Sequence, residues 1–193
     1  MNSFYSPEEL KNLGLKSLGK NVLISRKVSI YGAARIEIGS NVRIDDYCVI
    51  AAGKQGIAIG SNVHIAIFCS IQGNGKVQID DYCGLSSRTA IYSSTDDYSG
   101  AHLTNPTVSE SFSGVTDGNV HLHKHVIIGS GCVVLPNVTI GLGAAIGALS
   151  LVNRNCESFF IYQGNPIKKL FPREQNILQL EKLHKLSLQN DNE

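Results

Sequence analysis

Aliphatic residues recur at every sixth position along most of the chain, and this period predicts the fold. Eighteen positions follow it in sets of three, and each is Ile, Leu or Val. They are Leu18, Ile24, Ile30, Ile38, Ile44, Ile50, Ile59, Ile65, Ile71, Ile79, Leu85, Ile91, Leu122, Ile128, Val134, Ile140, Ile146 and Val152. A fixed period indicates stacked units that share one core. Three units then make one triangular coil, and the chain holds about six coils.

The residues between the aliphatic positions predict short strands joined by tight turns. The fourth residue after an aliphatic position is usually small, as at Val22, Val28, Val42, Val63, Thr89, Val126, Val138 and Ala144. The residue before it is often Asn or Gly, as at Asn21, Asn41, Asn62, Gly131, Asn137, Gly143 and Asn155. Asn and Gly tolerate a positive φ angle, so these positions favour tight turns.

All five cysteines fall at the small position of the repeat. They are Cys48, Cys69, Cys83, Cys132 and Cys156. A free cysteine behaves there as a small apolar residue. We therefore expect five buried thiols with a structural role and no disulfide framework.

The repeat is interrupted once. Between Tyr92 and Leu122 no aliphatic residue holds the expected phase, which predicts a loop over 92–121 on the outside of the solenoid, where long loops are often functional.

We expect an N-terminal helical segment over 1–17, a β-helix domain over 18–170 and a C-terminal helix over 171–193. Ser6 and Glu9 form a capping box for the first helix. The last helix is expected to pack on the prism or on a partner subunit.

Composition and charge narrow the function classes. The chain has 193 residues, of which 42% are hydrophobic and 17% charged, and this indicates a folded domain. A formal net charge of +1 gives no broad electrostatic basis for nucleic-acid binding. No apolar run is long enough to cross a bilayer, and residues 1–9 lack the pattern of a signal peptide. We therefore expect a cytoplasmic protein without membrane insertion.

Three segments carry a resemblance to a known family. Ile38-Gly39-Ser40-Asn41-Val42, Ile59-Gly60-Ser61-Asn62-Val63 and Ile128-Gly129-Ser130-Gly131-Cys132 resemble the hexapeptide repeat of the left-handed parallel β-helix acyltransferases. The resemblance covers roughly residues 18–170. It implies an all-β solenoid with a left-handed coil, and it implies a homotrimer.

A narrower resemblance concerns the interrupted segment. The runs Thr95-Asp96-Asp97-Tyr98-Ser99-Gly100, Leu103-Thr104-Asn105-Pro106 and Gly147-Ala148-Leu149-Ser150-Leu151-Val152-Asn153 are similar to sugar N-acetyltransferases that act on dTDP-4-amino-4,6-dideoxyglucose. This implies acetyl-CoA as co-substrate, a nucleotide-linked amino sugar as acceptor, and a role in surface polysaccharide synthesis.

Two residues are the candidates for proton transfer. The family's sugar O-acetyltransferases carry a loop histidine as general base, and the corresponding position here falls at about Asp96. A sugar amine needs a weaker base than a hydroxyl, so a carboxylate there is compatible with N-acetylation. His64 precedes the inward Ile65, so it is expected to point outward, and an imidazole titrates near neutrality. A surface histidine on a strand is the alternative interpretation. Asn74, Asp97 and Tyr98 are the candidate sugar-binding residues.

The resemblance also suggests where coenzyme A binds. Ser130 and Ala148 match positions that contact pantetheine, and Arg154 and Lys168 match basic positions near the diphosphate or adenine. His121, His123 and His125 form an H-x-H-x-H run without a carboxylate at a convincing ligand position in the sequence. We therefore expect no metal.

Two other functions remain open at this point. One is O-acetylation of a saccharide, which uses the same fold. The other is a non-catalytic β-helix scaffold, against which the long loop and the CoA-type positions argue.

Overall fold

The computed structural model describes residues 3–190, and the side chains up to 188. Parts of the predicted terminal segments, at 1–2 and 191–193, lie outside the described residues. The chain folds into a triangular prism with three parallel β-sheets as faces, numbered here in the order in which each turn visits them. The predicted fold class, a parallel β-helix, is confirmed.

The strands of each face succeed one another by one turn of the solenoid. Face 1 contains Ser17–Leu18, Ile36–Ile38, Ile57–Ile59, Val77–Ile79, Val120–Leu122 and Val138–Ile140. Face 2 contains Leu23–Ile24, Arg43–Ile44, His64–Ile65, Gly84–Leu85, Ile127–Ile128, Ala145–Ile146, Phe160–Gln163 and Lys168–Pro172. Face 3 contains Ser29–Tyr31, Val49–Ala52, Ser70–Gly73, Ala90–Tyr92, Val133–Val134 and Leu151–Val152.

The six-residue period becomes three columns of stacked aliphatic side chains inside the prism. On face 2, for example, Leu85 pairs in register with Ile65 below it and with Ile128 above it. All the periodic positions are buried except Leu18 and Ile30, which lie in the first turn and are partly buried. Each aliphatic residue thus excludes water from the neighbours directly above and below it, and this burial is the main stabilising contribution.

The small inward positions close the corners of the prism. All five cysteines are free and buried, as predicted. Four of them donate their S–H to a backbone carbonyl of the next turn, for example Cys48 to Ala66 at 3.0 Å and Cys132 to Gly147 at 3.2 Å. Burial raises the pKa of Cys83 to about 12 and that of Cys156 to about 11, so both remain thiols at neutral pH.

Most predicted turn residues adopt the left-handed conformation. Positive φ angles occur at Asn21, Asn41, Asn62, Asn137, Gly131 and Gly143. Asn155 does not share this conformation, and its side-chain carbonyl instead accepts the backbone N–H of Thr139 at 2.8 Å. Other corners place large residues at positive φ, among them Tyr47, Phe68, Tyr82 and Arg88, which the Asn/Gly rule did not predict.

The interruption is an external loop, and the parallel strand pairing of face 1 continues beneath it without a break. The predicted bounds, 92–121, are too wide, because Tyr92 still belongs to face 3 and Val120 already resumes face 1. An antiparallel hairpin, Ser94–Thr95 with Thr116–Asp117, closes the base of the loop, and a 3₁₀ turn at Glu110–Phe112 lies within it. Beneath the loop, Ile79 pairs directly with Leu122.

The chain ends differ from the prediction at the C-terminus. Helix α1, Pro7–Lys11, has the predicted capping box and buries Leu10 against the prism. The strand Lys168–Pro172 turns back antiparallel on Phe160–Gln163 and crosses the predicted boundary between 170 and 171. Helix α2 then spans Ile177–Asn190. No helix among residues 3–190 is both long and apolar enough to span a membrane.

Helix α2 is held to the prism by charges more than by its leucines. The Glu181 carboxylate lies 2.6 Å from His125 Nε2 and 2.6 Å from Lys124 Nζ. Burial opposes ionisation of Glu181, but hydrogen bonds from Lys124, Lys185 and His125 outweigh it and lower its pKa to about 2. Leu180, Leu183 and Leu186, which recur at helical spacing along α2, are more than half exposed in the single chain.

Adjacent isoleucines in one strand provide a matched test of the stacked core. Ile128 is 0% exposed and Ile127 is 45% exposed. Ile128→Ala is expected to lower the free energy of unfolding by about 2–5 kcal/mol, because it opens a cavity between Leu85 and Ile146. Ile127→Ala is expected to cost less than about 0.5 kcal/mol. Urea unfolding at one protein concentration measures both, and equal losses would contradict the assignment of the inward column.

Candidate active site

A shallow groove of about 300 Å³ runs along the edge between faces 2 and 3. His64 lines it from face 2, and its side chain points outward, as expected from its position before the inward Ile65. Gly84, in register above His64, carries no side chain to fill the groove. Ser86, Ser87 and Ser130 line the corner side. The groove therefore combines one imidazole with hydroxyl groups and an open backbone.

His64 is paired with a carboxylate that the sequence analysis did not identify. Its Nε2 lies 2.8 Å from Asp45 Oδ2, and Arg43 Nε lies 2.7 Å from the other oxygen of Asp45. Partial burial opposes ionisation of Asp45, but hydrogen bonds from His64 and Arg43 outweigh it and lower its pKa. An ionised carboxylate only accepts hydrogen bonds, so Nε2 of His64 carries the hydrogen. Nδ1 then keeps its lone pair and can accept a proton.

The external loop forms a second concave site, of about 330 Å³, at the edge between faces 3 and 1. It brings together Asn74 and Asp96, two of the predicted site residues, with Asn105 and Glu110 from the far side of the loop. Asp96 is exposed. The pocket therefore presents carboxylate and amide groups to a polar ligand.

The other two predicted sugar-binding residues are placed differently. Asp97 accepts the backbone N–H groups of Ser99 and His102 at 2.8 and 2.9 Å, and hydrogen bonds from Ser99 hold its pKa well below the usual range. Its carboxylate thus shapes its own loop. Tyr98 is 93% exposed and does not line the loop pocket.

The groove and the loop pocket lie at different edges of the prism. Ser86 and Ser87 follow the face 2 strand Gly84–Leu85, whereas Asp96 follows the face 3 strand Ala90–Tyr92. The width of face 3 separates the two sites within one chain. A single prism therefore does not bring His64 and Asp96 together.

Comparisons with known proteins identify the family. A curated relative, dTDP-4-amino-4,6-dideoxy-D-glucose acyltransferase of Escherichia coli, is 50% identical over 184 residues, which cover 95% of this chain and 96% of the relative. The chain belongs to the dTDP-4-amino-4,6-dideoxyglucose acyltransferase family. The resemblance stated from sequence is thereby confirmed. No protein-family model matches the chain.

Solved structures agree with this assignment. AntD, an N-acyltransferase from Bacillus cereus crystallised with dTDP and 3-hydroxybutyryl-CoA, superimposes with a TM-score of 0.94 at 45% identity, over 98% of this chain and 100% of AntD. Further AntD structures carry a substituted aspartate or, ten residues earlier, a substituted serine, and two of the serine variants hold dTDP-4-amino-4,6-dideoxyglucose and coenzyme A. A maltose O-acetyltransferase from Clostridium difficile 630 has a TM-score of 0.58 at 21% identity over 87% of this chain and 75% of its own, and shares the fold alone.

The chain is a CoA-dependent acyltransferase, and this excludes a purely structural scaffold. Of the residues predicted to contact coenzyme A, Ser130 and Ala148 stack one above the other at the groove edge and are exposed. Lys168 is exposed on the last face 2 strand. The guanidinium of Arg154 donates to the carbonyl of Ile167 at 2.6 Å, so it braces the chain next to Lys168.

The histidine run of this acyltransferase divides into two environments. His125 has a φ angle of 62° and lies buried beneath α2, where it binds Glu181. His121 and His123 lie on face 1 beside Asp80. The expectation that no carboxylate stands near these histidines is therefore wrong.

Register explains what the sequence analysis missed. Ile44 stacks on Ile65, and this places Asp45 diagonally beside His64. The pairing of Ile79 with Leu122 places Asp80 level with His123 and diagonally beside His121. Both neighbours could have been found by extending the aliphatic columns to the residues that flank them.

Proposed function

We propose that the enzyme transfers an acyl group, expected to be acetyl, from acyl-CoA to the 4-amino group of dTDP-4-amino-4,6-dideoxyglucose. The observation that supports this most strongly is the 50% identity, over nearly the full length of both chains, to the relative named for that substrate. The reaction is expected in the cytoplasm, where the acylated nucleotide sugar supplies surface polysaccharide synthesis.

The reaction needs a neutral amine, a polarised thioester carbonyl and a group that accepts one proton. The amine nitrogen attacks the thioester carbonyl carbon, the C–S bond breaks, and CoA leaves as the thiolate. His64 Nδ1 takes the proton from the amine, with Asp45 fixing the ring tautomer. A backbone amide polarises the carbonyl, and the small side chains of Ser130 and Ala148 permit close approach to the main chain. Ser130 and Ala148 with Lys168 form the CoA-binding edge in this proposal.

Asp96 is the proposed acceptor-binding carboxylate. Ser86 and Asp96 are ten residues apart, the spacing of the serine and aspartate substituted in the AntD structures, and Ser87 and Asp97 share it. The structure favours Asp96 for this role, because the carboxylate of Asp97 is occupied by backbone N–H groups of its own loop. Asn74 and Asp96 would hold the amino sugar in the loop pocket.

A homotrimer joins the two halves of this site. His64 and Asp96 occupy different edges of one prism, so the loop of one subunit must meet the groove of the next. This supports the assembly implied by the sequence resemblance, with acyl-CoA in the groove between subunits.

Substrate choice is tested with thiol release from acyl-CoA donors. The acceptors are dTDP-, UDP- and GDP-linked 4-amino sugars, with simple glycosides alongside, and the donors are acetyl-CoA and 3-hydroxybutyryl-CoA. Turnover on the dTDP-linked amino sugar, highest with acetyl-CoA, is expected. Turnover on glycosides alone would indicate saccharide O-acetylation instead.

His64→Ala is expected to lower kcat about 100-fold, since a positioned general base contributes at least that factor. The KM for acyl-CoA should change little, because the proposed role of the imidazole is to accept the proton and not to bind the cofactor. His184→Ala, on α2, is the matched control and should retain the wild-type kcat. An unchanged kcat in His64→Ala would remove His64 from the mechanism.

Asp96→Asn is expected to raise the KM for the amino sugar by roughly tenfold, the cost of one charge-assisted hydrogen bond. Co-expression of the Asp96→Asn and His64→Ala chains tests the shared site. Mixed trimers should recover part of the wild-type activity, because some sites combine an intact loop with an intact groove. Recovery no greater than the sum of the two separate variants would place both residues in one subunit's site.

A further inference from the structure

Face 1 carries a cluster of three potential metal ligands that the transfer reaction does not use. Asp80 Oδ2 lies 3.0 Å from His121 Nε2 and 3.4 Å from His123 Nδ1. One ligand atom from each residue lies within 4.8 Å of the other two. The side chains are between 27% and 41% exposed, so an ion can reach them from solvent.

The ladder itself produces this convergence. Ile79 pairs with Leu122, so Asp80 and His123 leave adjacent strands at the same corner. His121 points outward two residues before His123, and the two imidazole rings lie 3.9 Å apart between centroids. Both rings therefore direct a nitrogen at the same carboxylate oxygen.

The spacing fits a four-coordinate ion. Bonds of 2.0–2.1 Å to imidazole and carboxylate place neighbouring ligand atoms of a tetrahedron about 3.3 Å apart. The two distances around Asp80 bracket that value. Gln78 donates its side-chain amide to the other oxygen of Asp80 at 2.8 Å, which orients the carboxylate as outer-shell partners of metal ligands do.

We propose that Asp80, His121 and His123 bind one divalent transition-metal ion of the zinc type, with a fourth position open to water. Two imidazoles and one carboxylate are a donor set that suits such ions. The site is separate from the groove of His64 and from the loop pocket, and does not depend on the proposed substrate.

The position of the site indicates what the ion does. Asp80 belongs to the fourth turn of the solenoid and the histidines to the fifth, and the external loop is inserted between them. A bound ion links the two turns between which the loop is inserted. Its effect is therefore on stability and on the loop, without participation in acyl transfer.

Metal binding is tested on the full-length protein after treatment with a chelator. Zn²⁺ titration is expected to show one equivalent per chain, and Co²⁺ in its place should give the intense visible absorption of a four-coordinate site. Saturation with Zn²⁺ is expected to raise Tm by roughly 5 °C.

Variants locate the binding site. His121→Ala, His123→Ala and the more conservative His123→Gln should each abolish the stoichiometric site, and Gln78→Ala should weaken binding about tenfold. His64→Ala removes the other histidine–aspartate pair described above and should bind Zn²⁺ as the wild type does. Absence of a stoichiometric site, binding that survives loss of both face 1 histidines, or equal loss in His64→Ala would each overturn the proposal.

Discussion

Stacking of aliphatic side chains in register between successive turns is the constraint on which everything else depends. The inward aliphatic positions are committed to this packing, and the polar side chains buried beside them, such as Thr89 and Ser150, are small hydroxyls that donate to backbone carbonyls. Chemistry is therefore confined to outward strand positions, corners and the inserted loop. This explains why the candidate base, the hydroxyl groups and the acidic loop residues all lie on the surface of a single chain.

The six-residue period was sufficient to predict the fold, because an aliphatic residue at every sixth position can be recognised without knowing which turns are adjacent. The site was harder to predict because its contacts link residues of different turns. His64 was found from its phase alone, whereas its partner Asp45 required the register between turns. Asp96 and Asp97 are adjacent and chemically identical in sequence. Only the loop's hydrogen bonds separate the carboxylate that shapes the loop from the one that faces the pocket.

The C-terminal helix was expected to pack on the prism or on a partner subunit. Its ion pairs with the prism centre on Glu181, which contacts His125 and Lys124 of the prism and Lys185 of the helix itself. A carboxylate with three nitrogen partners resists protonation, and it fixes the helix in one orientation as apolar packing alone does not. Arg173 adds to this by donating to the carbonyls of His125 and Gly143 before the helix begins. The histidine at this corner is consequently part of the scaffold.

The loop is closed at its base by an antiparallel pair of two-residue strands, while the parallel pairing of face 1 continues directly from Ile79 to Leu122 beneath it. The packing of the core therefore does not depend on the length or the sequence of the inserted segment. An ancestral solenoid could exchange this segment for another without repacking a single turn. In the proposed assignment the loop recognises the acceptor and the prism edge binds the thioester, so a change of acceptor would leave the packing of the prism unchanged.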